Sequence, residues 1–140
     1  MTASALFQAF NIIALGGWIA LAIGIIAKRD WLRDKLAGLW IPVLLSSAYA
    51  ALILLFFAKS DGGFDSLENV QKLFTNPFAA LAGWVHYLAF DLFIGARIAR
   101  QTAQLELPRW PLIALLPLTF MFGPIGFLAF EIIKATRKEA

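Results

Sequence analysis

Apolar positions along the chain gather into four long runs separated by short polar stretches. The runs are Ala5–Ala27, Ala37–Ala58, Pro77–Ile98 and Pro111–Ile133. At 1.5 Å of rise per residue, runs of about 20 residues match a hydrocarbon layer about 30 Å thick. The pattern predicts an all-α, polytopic membrane protein, a bundle of four transmembrane helices forming a single integral membrane domain over residues 1–140. The first run exceeds a signal-peptide core, and its basic residues follow it, so a retained helix is expected. The longest connection, Lys59 to Asn76, contains "DSLE", which reads as a capping box with Asp65 as the cap and Glu68 three residues on. Leu67, Val70 and Phe74 then recur at helical spacing. They predict a short interfacial helix between helices two and three. In the fourth run, Pro124 lacks an amide donor and should leave the Phe120 carbonyl free, and Pro117 adds a second kink.

Composition agrees with the pattern. The chain is 61% hydrophobic, with a mean hydropathy of +0.76, well above a soluble domain. It has no cysteine, which excludes disulfides, iron–sulfur clusters and thiolate zinc sites. The net charge is +3, and the basic residues sit in short clusters beside the runs rather than in a stripe. A nucleic-acid partner is therefore not expected. Seven basic residues border the first and third connections and five lie on the other side. That bias places these connections in the cytoplasm and both termini outside.

The third run, "GWVHYLAFDLFIGARIA", holds the candidate chemistry. His86 and Asp91 lie near its middle. An ionised side chain at that depth costs at least about 3 kcal/mol, so such residues normally face partners inside a bundle. Both are expected to be uncharged, a general acid and a general base able to work near neutral pH. Five residues separate them by about 7.5 Å along the axis and about 140° around it. That spacing predicts that they flank a common hollow. Trp84 and Tyr87 share the Asp91 side; Phe90, Phe93 and Arg97 continue the His86 side. Asn11, Ser46, Ser47, Tyr49 and Thr119 are further polar groups at membrane depth. Serines and threonines there often bond their own backbone instead of a ligand. Trp18 and Trp84 are deep enough to stack on a conjugated molecule, whereas Trp31, Trp40 and Trp110 suit the aromatic belt. In "FGPIGF", Phe122, Pro124 and Gly126, with Gly123, could line a cavity opened by the broken helix. Glu131 is expected to pair with Lys134. "AALAG" sets Ala79 and Gly83 at small-xxx-small spacing, a contact within or between subunits that leaves a homo-oligomer possible. One histidine and one aspartate are too few ligands to define a metal site, so no cofactor is identified; a metal held by His86 and Asp91 stays an open alternative.

Taken together, "GWVHYLAFDLFIGARIA" and "LLPLTFMFGPIGF" resemble the abscisic-acid-deficiency-type membrane proteins. The matching residues are Trp84, His86, Asp91, Leu92, Phe93, Arg97, Pro124 and Gly126. "NVQKLFTNP" and "FNIIALGGW" are similar as well. Plant members of that family are needed to make the xanthophyll neoxanthin, and bacteria carry relatives of unassigned role. The resemblance implies carotenoid metabolism, here by a bacterial member in the inner membrane. It makes a carotenoid or related isoprenoid the expected ligand beside membrane lipid. The expected activity is an isomerisation or other modification using His86 and Asp91. Substrate would be bound by Trp84, Tyr87, Arg97, Asn11, Ser46, Ser47, Trp18, Phe122, Pro124 and Gly126. Three alternatives stand beside it: a non-catalytic carotenoid scaffold, metal-dependent cleavage to retinal, and a small transporter.

Overall fold

The computed structural model describes residues 2–138, and every element in it is helical. Helix α1, Ala3–Ile26, starts where the Thr2 hydroxyl accepts the Ala5 amide at 3.2 Å. A turn with Lys28 at φ 53° leads into Trp31–Trp40, which is wound as a π-helix. There the Ile41 amide reaches back five residues to the Leu36 carbonyl. The winding passes without interruption into α2, Ile41–Phe56, at the point where Pro42 has no amide to give. A 3-10 turn, Phe57–Lys59, ends it.

The connection that follows holds the expected short helix, α3, Leu67–Leu73. Its cap is Ser66, not Asp65: the Ser66 hydroxyl accepts the Asn69 amide at 3.1 Å. The Asp65 carboxylate instead receives the Asn69 side chain. Helix α4, Pro77–Gln104, begins on Asn76, whose side chain accepts the Phe78 and Ala79 amides, with Pro77 pre-set in the first turn.

The other helices pack around α4. Helix α1 runs parallel to it. Ala3 and Ser4 lie beside Pro77 at one end, and Ile25 reaches the cluster around Ile98 at the other. Helix α2 runs antiparallel: the Phe56 ring stacks on Phe78 at 4.0 Å, and Gly38 meets Ala96 and Arg100. Gly95 gives a close approach on the α1 side, because the Trp18 ring occupies the space a Cβ would need. Ala79 is buried and Gly83 lies under the Phe74 ring, so this small-residue pair is used within the chain.

The fourth apolar run does not form one span. It divides into α5, Leu112–Met121, and α6, Gly123–Lys138, with Phe122 extended between them at φ −147° and ψ 70°. Leu112 and Leu115, early in α5, share a buried cluster with Phe130 of α6 and Ile98 of α4. In a straight helix Leu112 and Phe130 would lie about 27 Å apart. The two helices therefore fold back on each other as a hairpin, its tip at mid-height of α4 and its open end beside Thr102 and Leu107. Among the described residues, three helices are long and apolar enough to cross a membrane: Ala3–Ile26, Trp31–Lys59 and Pro77–Gln104. The start of α1 and the last turn of α6 lie at opposite ends of α4.

Candidate functional site

Asp91 and His86 occupy different seams of α4. Asp91 is only 5% exposed and points at the tip of the α5–α6 hairpin. Its carboxyl packs directly on Gly123, so that a Cβ there would run into Oδ1. Gly123 is the first residue of α6, where unpaired amides and the helix dipole favour a carboxyl group. The other oxygen, Oδ2, is buried and has no partner among the described residues. The α5 side of the break is satisfied by a neighbour of Asp91. Met121 and Phe120 have lost their helical acceptor role, and the Tyr87 hydroxyl donates to the Met121 carbonyl at 2.6 Å, with the Phe120 carbonyl at 3.4 Å. The freed Phe120 carbonyl expected from Pro124 is thus present, although the better-bonded carbonyl is the next one. One turn of α4, Tyr87 to Asp91, closes both ends of the broken helix.

An aromatic row leads to this point. Trp84 stacks on Tyr87 at 5.3 Å and meets the Phe7 ring at 5.6 Å. Its indole N–H donates to Asn11 Oδ1 at 3.1 Å, and Asn11 is itself held by the Phe7 carbonyl. Phe7 and Trp84 also line a shallow depression of about 470 Å³ between α1 and α4, beside Pro77. Trp18 presents an edge to Phe120 at 5.5 Å on the far side of the break.

His86 faces α2 and is exposed. Its imidazole lies between the Tyr49 ring at 5.5 Å and the Phe90 ring at 4.8 Å. The cavity that His86 lines, about 250 Å³, is walled by Tyr49, Phe57, Phe64, Phe74 and Gly83 and does not include Asp91. The common hollow expected from the spacing is not formed, because the helix tip fills the Asp91 side completely.

The remaining expected residues divide in the same way. Asn11, Trp18, Trp84, Tyr87 and Gly123 gather around the break. Gly126 packs against the Thr119 hydroxyl, inside the hairpin, and Phe122 and Pro124 are exposed at its tip. Ser46 lines a second depression with Phe90 and Phe93, on the His86 side. Ser47 and Thr119 bond the carbonyls of Val43 and Leu115, as membrane hydroxyls commonly do. Arg97 is exposed over the Phe127 ring. Glu131 pairs with Lys134 as expected. Among the described residues no three His, Asp or Glu side chains gather as a metal site. The sequence reading missed the Met121 carbonyl and the ring wall of the His86 cavity. A proline two residues into α6 was the only local sign of the first, and nothing in the chain pattern marked the second.

These features define a class. Helices α1 and α2 turn Ile12, Ile19, Ile26, Leu44 and Leu55 outward, as a lipid-facing surface requires. The protein is an all-α membrane protein with a broken helical hairpin whose tip meets an acidic residue inside the bundle. Its sequence matches the model of the ABA DEFICIENT 4-like family over residues 5–130, and the chain belongs to that family. The family is linked to xanthophyll and neoxanthin synthesis, which is consistent with a role in carotenoid metabolism. Among curated proteins and solved structures nothing matches the chain.

Proposed function

We propose that this chain is an integral membrane enzyme that converts a carotenoid or related isoprenoid, with Asp91 as its proton-handling group. The observation that carries the reading is the unpartnered Oδ2 of a buried Asp91, held at the start of α6 and one turn from a lipid-facing aromatic row. An apolar, elongated molecule would lie in the α1–α4 depression along Phe7 and Trp84. Tyr87 separates that depression from the carboxyl and would have to yield for a polar substrate oxygen to reach it. A protonated Asp91 can give its proton to an epoxide oxygen as the carbon–oxygen bond opens. The resulting carboxylate can then take a proton from the neighbouring polyene carbon, which forms the new double bond. Atoms balance, and no oxidant or reductant is needed. His86 lies on another seam and takes no part in this step.

In the same reading the chain is one membrane domain, α3 rests at the bilayer surface, and the α5–α6 hairpin stands in place of a fourth span. A second reading is favoured by the way Asp91 completes the helix break. In it, the carboxyl only shapes a pigment-holding bundle that serves other enzymes. The test is expression of the chain and of Asp91→Asn in a carotenoid-producing host, with pigments separated by chromatography. The enzyme reading expects new products from the native chain and at least a hundredfold less from a folded Asp91→Asn. Equal conversion by the variant would overturn the assignment of Asp91. Bound but unaltered pigment would favour the holding role.

A further inference from the structure

We infer that the seam between α2 and α4 is a separate binding site for the oxygen-bearing ring end of an elongated, lipid-soluble molecule, with His86 as its recognition group. Its cavity of about 250 Å³ is walled by Leu52, Ile53, Phe74 and Gly83. That is less than the about 300–1,000 Å³ that encloses a whole drug-sized ligand, so the site takes one end of a longer molecule. The roof is built by the connection before α4. The Phe57 and Phe64 rings stack at 5.4 Å, and the loop is tied down where the Gly63 amide donates to the Asn69 carbonyl at 3.2 Å. Gly62, at φ 93°, lets the chain press onto Asn69 and Leu73.

Within this apolar space the polar side chains are few. Of the neighbouring polar side chains of α4, Trp84 is engaged with Asn11 and Tyr87 with Met121, and Asp91 is turned away toward Gly123 at the hairpin tip. His86 makes no hydrogen bond among the described residues, and its ring neighbours are Tyr49 and Phe90. A free imidazole in an apolar wall recognises a hydroxyl or carbonyl, because it can donate from one nitrogen and accept at the other. The seam continues past Phe90 into the second depression, about 240 Å³, lined by Pro42, Val43, Ser46 and Phe93. The line from Ala79 to Phe93 covers 14 residues, about 21 Å of helix. A rod-like chain attached to the ring would lie along it, which is why the ligand is elongated rather than compact.

The inference deepens the carotenoid reading and rests on it for the choice of probe. Purified protein in detergent is mixed with equal amounts of zeaxanthin and β-carotene, which differ only by two ring hydroxyls. Bound pigment is recovered by gel filtration and its composition measured. The native chain is expected to favour zeaxanthin about tenfold, the worth of one good hydrogen bond. His86→Leu should bring the ratio near one, His86→Gln should keep most of the preference, and Ser46→Phe should lower binding of both pigments. Equal binding by the native chain, an unchanged ratio in His86→Leu, or no bound pigment would each overturn the site. The failures are distinguishable. Asp91→Asn should lose conversion and keep the ratio. An unchanged ratio in His86→Leu, with conversion lost in Asp91→Asn, sinks this site and leaves the enzyme reading standing.

Discussion

Gly123 shows how much a single missing side chain decides. The Asp91 carboxyl occupies the place of its Cβ, so the contact between α4 and the hairpin tip depends on the absence of one methyl group. Gly16, in the middle of α1, has nothing within 4 Å of the same position. Gly123→Ala must displace a buried carboxyl, and overpacking of that kind costs about 1–3 kcal/mol. Gly16→Ala adds a methyl in open space and should not lower stability. Unfolding in detergent, followed by helical circular dichroism, compares the two; similar stability for both variants would mean that Asp91 moves aside freely. At this scale the sequence was partly legible. Asp91, Tyr87, Trp84 and Asn11 stood out because polar groups are costly in hydrocarbon and must find partners. Their partners were not legible, since periodicity places a residue on a face without saying what covers that face. His86 and Asp91 were expected to share a hollow, and about 140° of helical turn was instead enough to send them to different neighbours.

At the scale of elements, the break between α5 and α6 is the least regular backbone near mid-height of α4, and its satisfaction can be followed group by group. The Phe122 carbonyl accepts the Ile125 and Gly126 amides as α6 begins. The Met121 carbonyl, the last of α5 and without a helical amide to accept, is taken by the Tyr87 hydroxyl. Tyr87→Phe keeps the ring that stacks on Trp84 and removes only that bond. A polar contact between membrane helices is worth about 0.6–2 kcal/mol, and the variant should lose stability by that amount. Amide exchange should quicken at Gly123 and Ile125 and stay unchanged in the π-wound segment Trp31–Trp40. Equal exchange at the break in both proteins would show that the carbonyl finds another donor. The prolines announced a disturbance in this run, but not its extent. Hydropathy reports only that residues are apolar, and a span of about 23 residues and two half-length helices folded together read alike. What separates them is tertiary: Phe130 finds a buried place against Leu112 and Ile98, and Asp91 and Tyr87 receive the tip. The π-winding before α2 was equally hidden. It is held at its open end by Arg33 and Arg100 on either side of Asp34, pairs that no periodicity announces.

For the whole molecule, the hairpin changes which side of a membrane the basic residues share. Four complete spans would put seven Lys and Arg residues on one side and five on the other, a weak bias. With α6 folded back, Lys134 and Arg137 join Lys28, Arg29, Arg33, Lys35, Arg100 and Arg109 at one end of α4, and Arg97 lies one turn away. Lys59 and Lys72 belong to the connection at the other end. The positive-inside rule then predicts that the Lys35 end faces the cytoplasm together with the last turn of α6. The chain contains no cysteine, so an introduced one is a clean reporter. Single variants Lys35→Cys, Asp61→Cys and Ala135→Cys in intact cells would be treated with a maleimide that cannot cross the membrane. Only Asp61→Cys should react before the cells are opened, and the other two should react afterwards. Reaction of Ala135→Cys together with Asp61→Cys would mean that α5 and α6 cross the bilayer as one span. The hairpin tip, and with it the setting of Asp91, would then have to be abandoned. The result bears on function as well. A tip that ends at mid-height keeps the Asp91 carboxyl away from both aqueous sides, and under the proposed enzyme reading its proton would have to come from the substrate or from within the bundle.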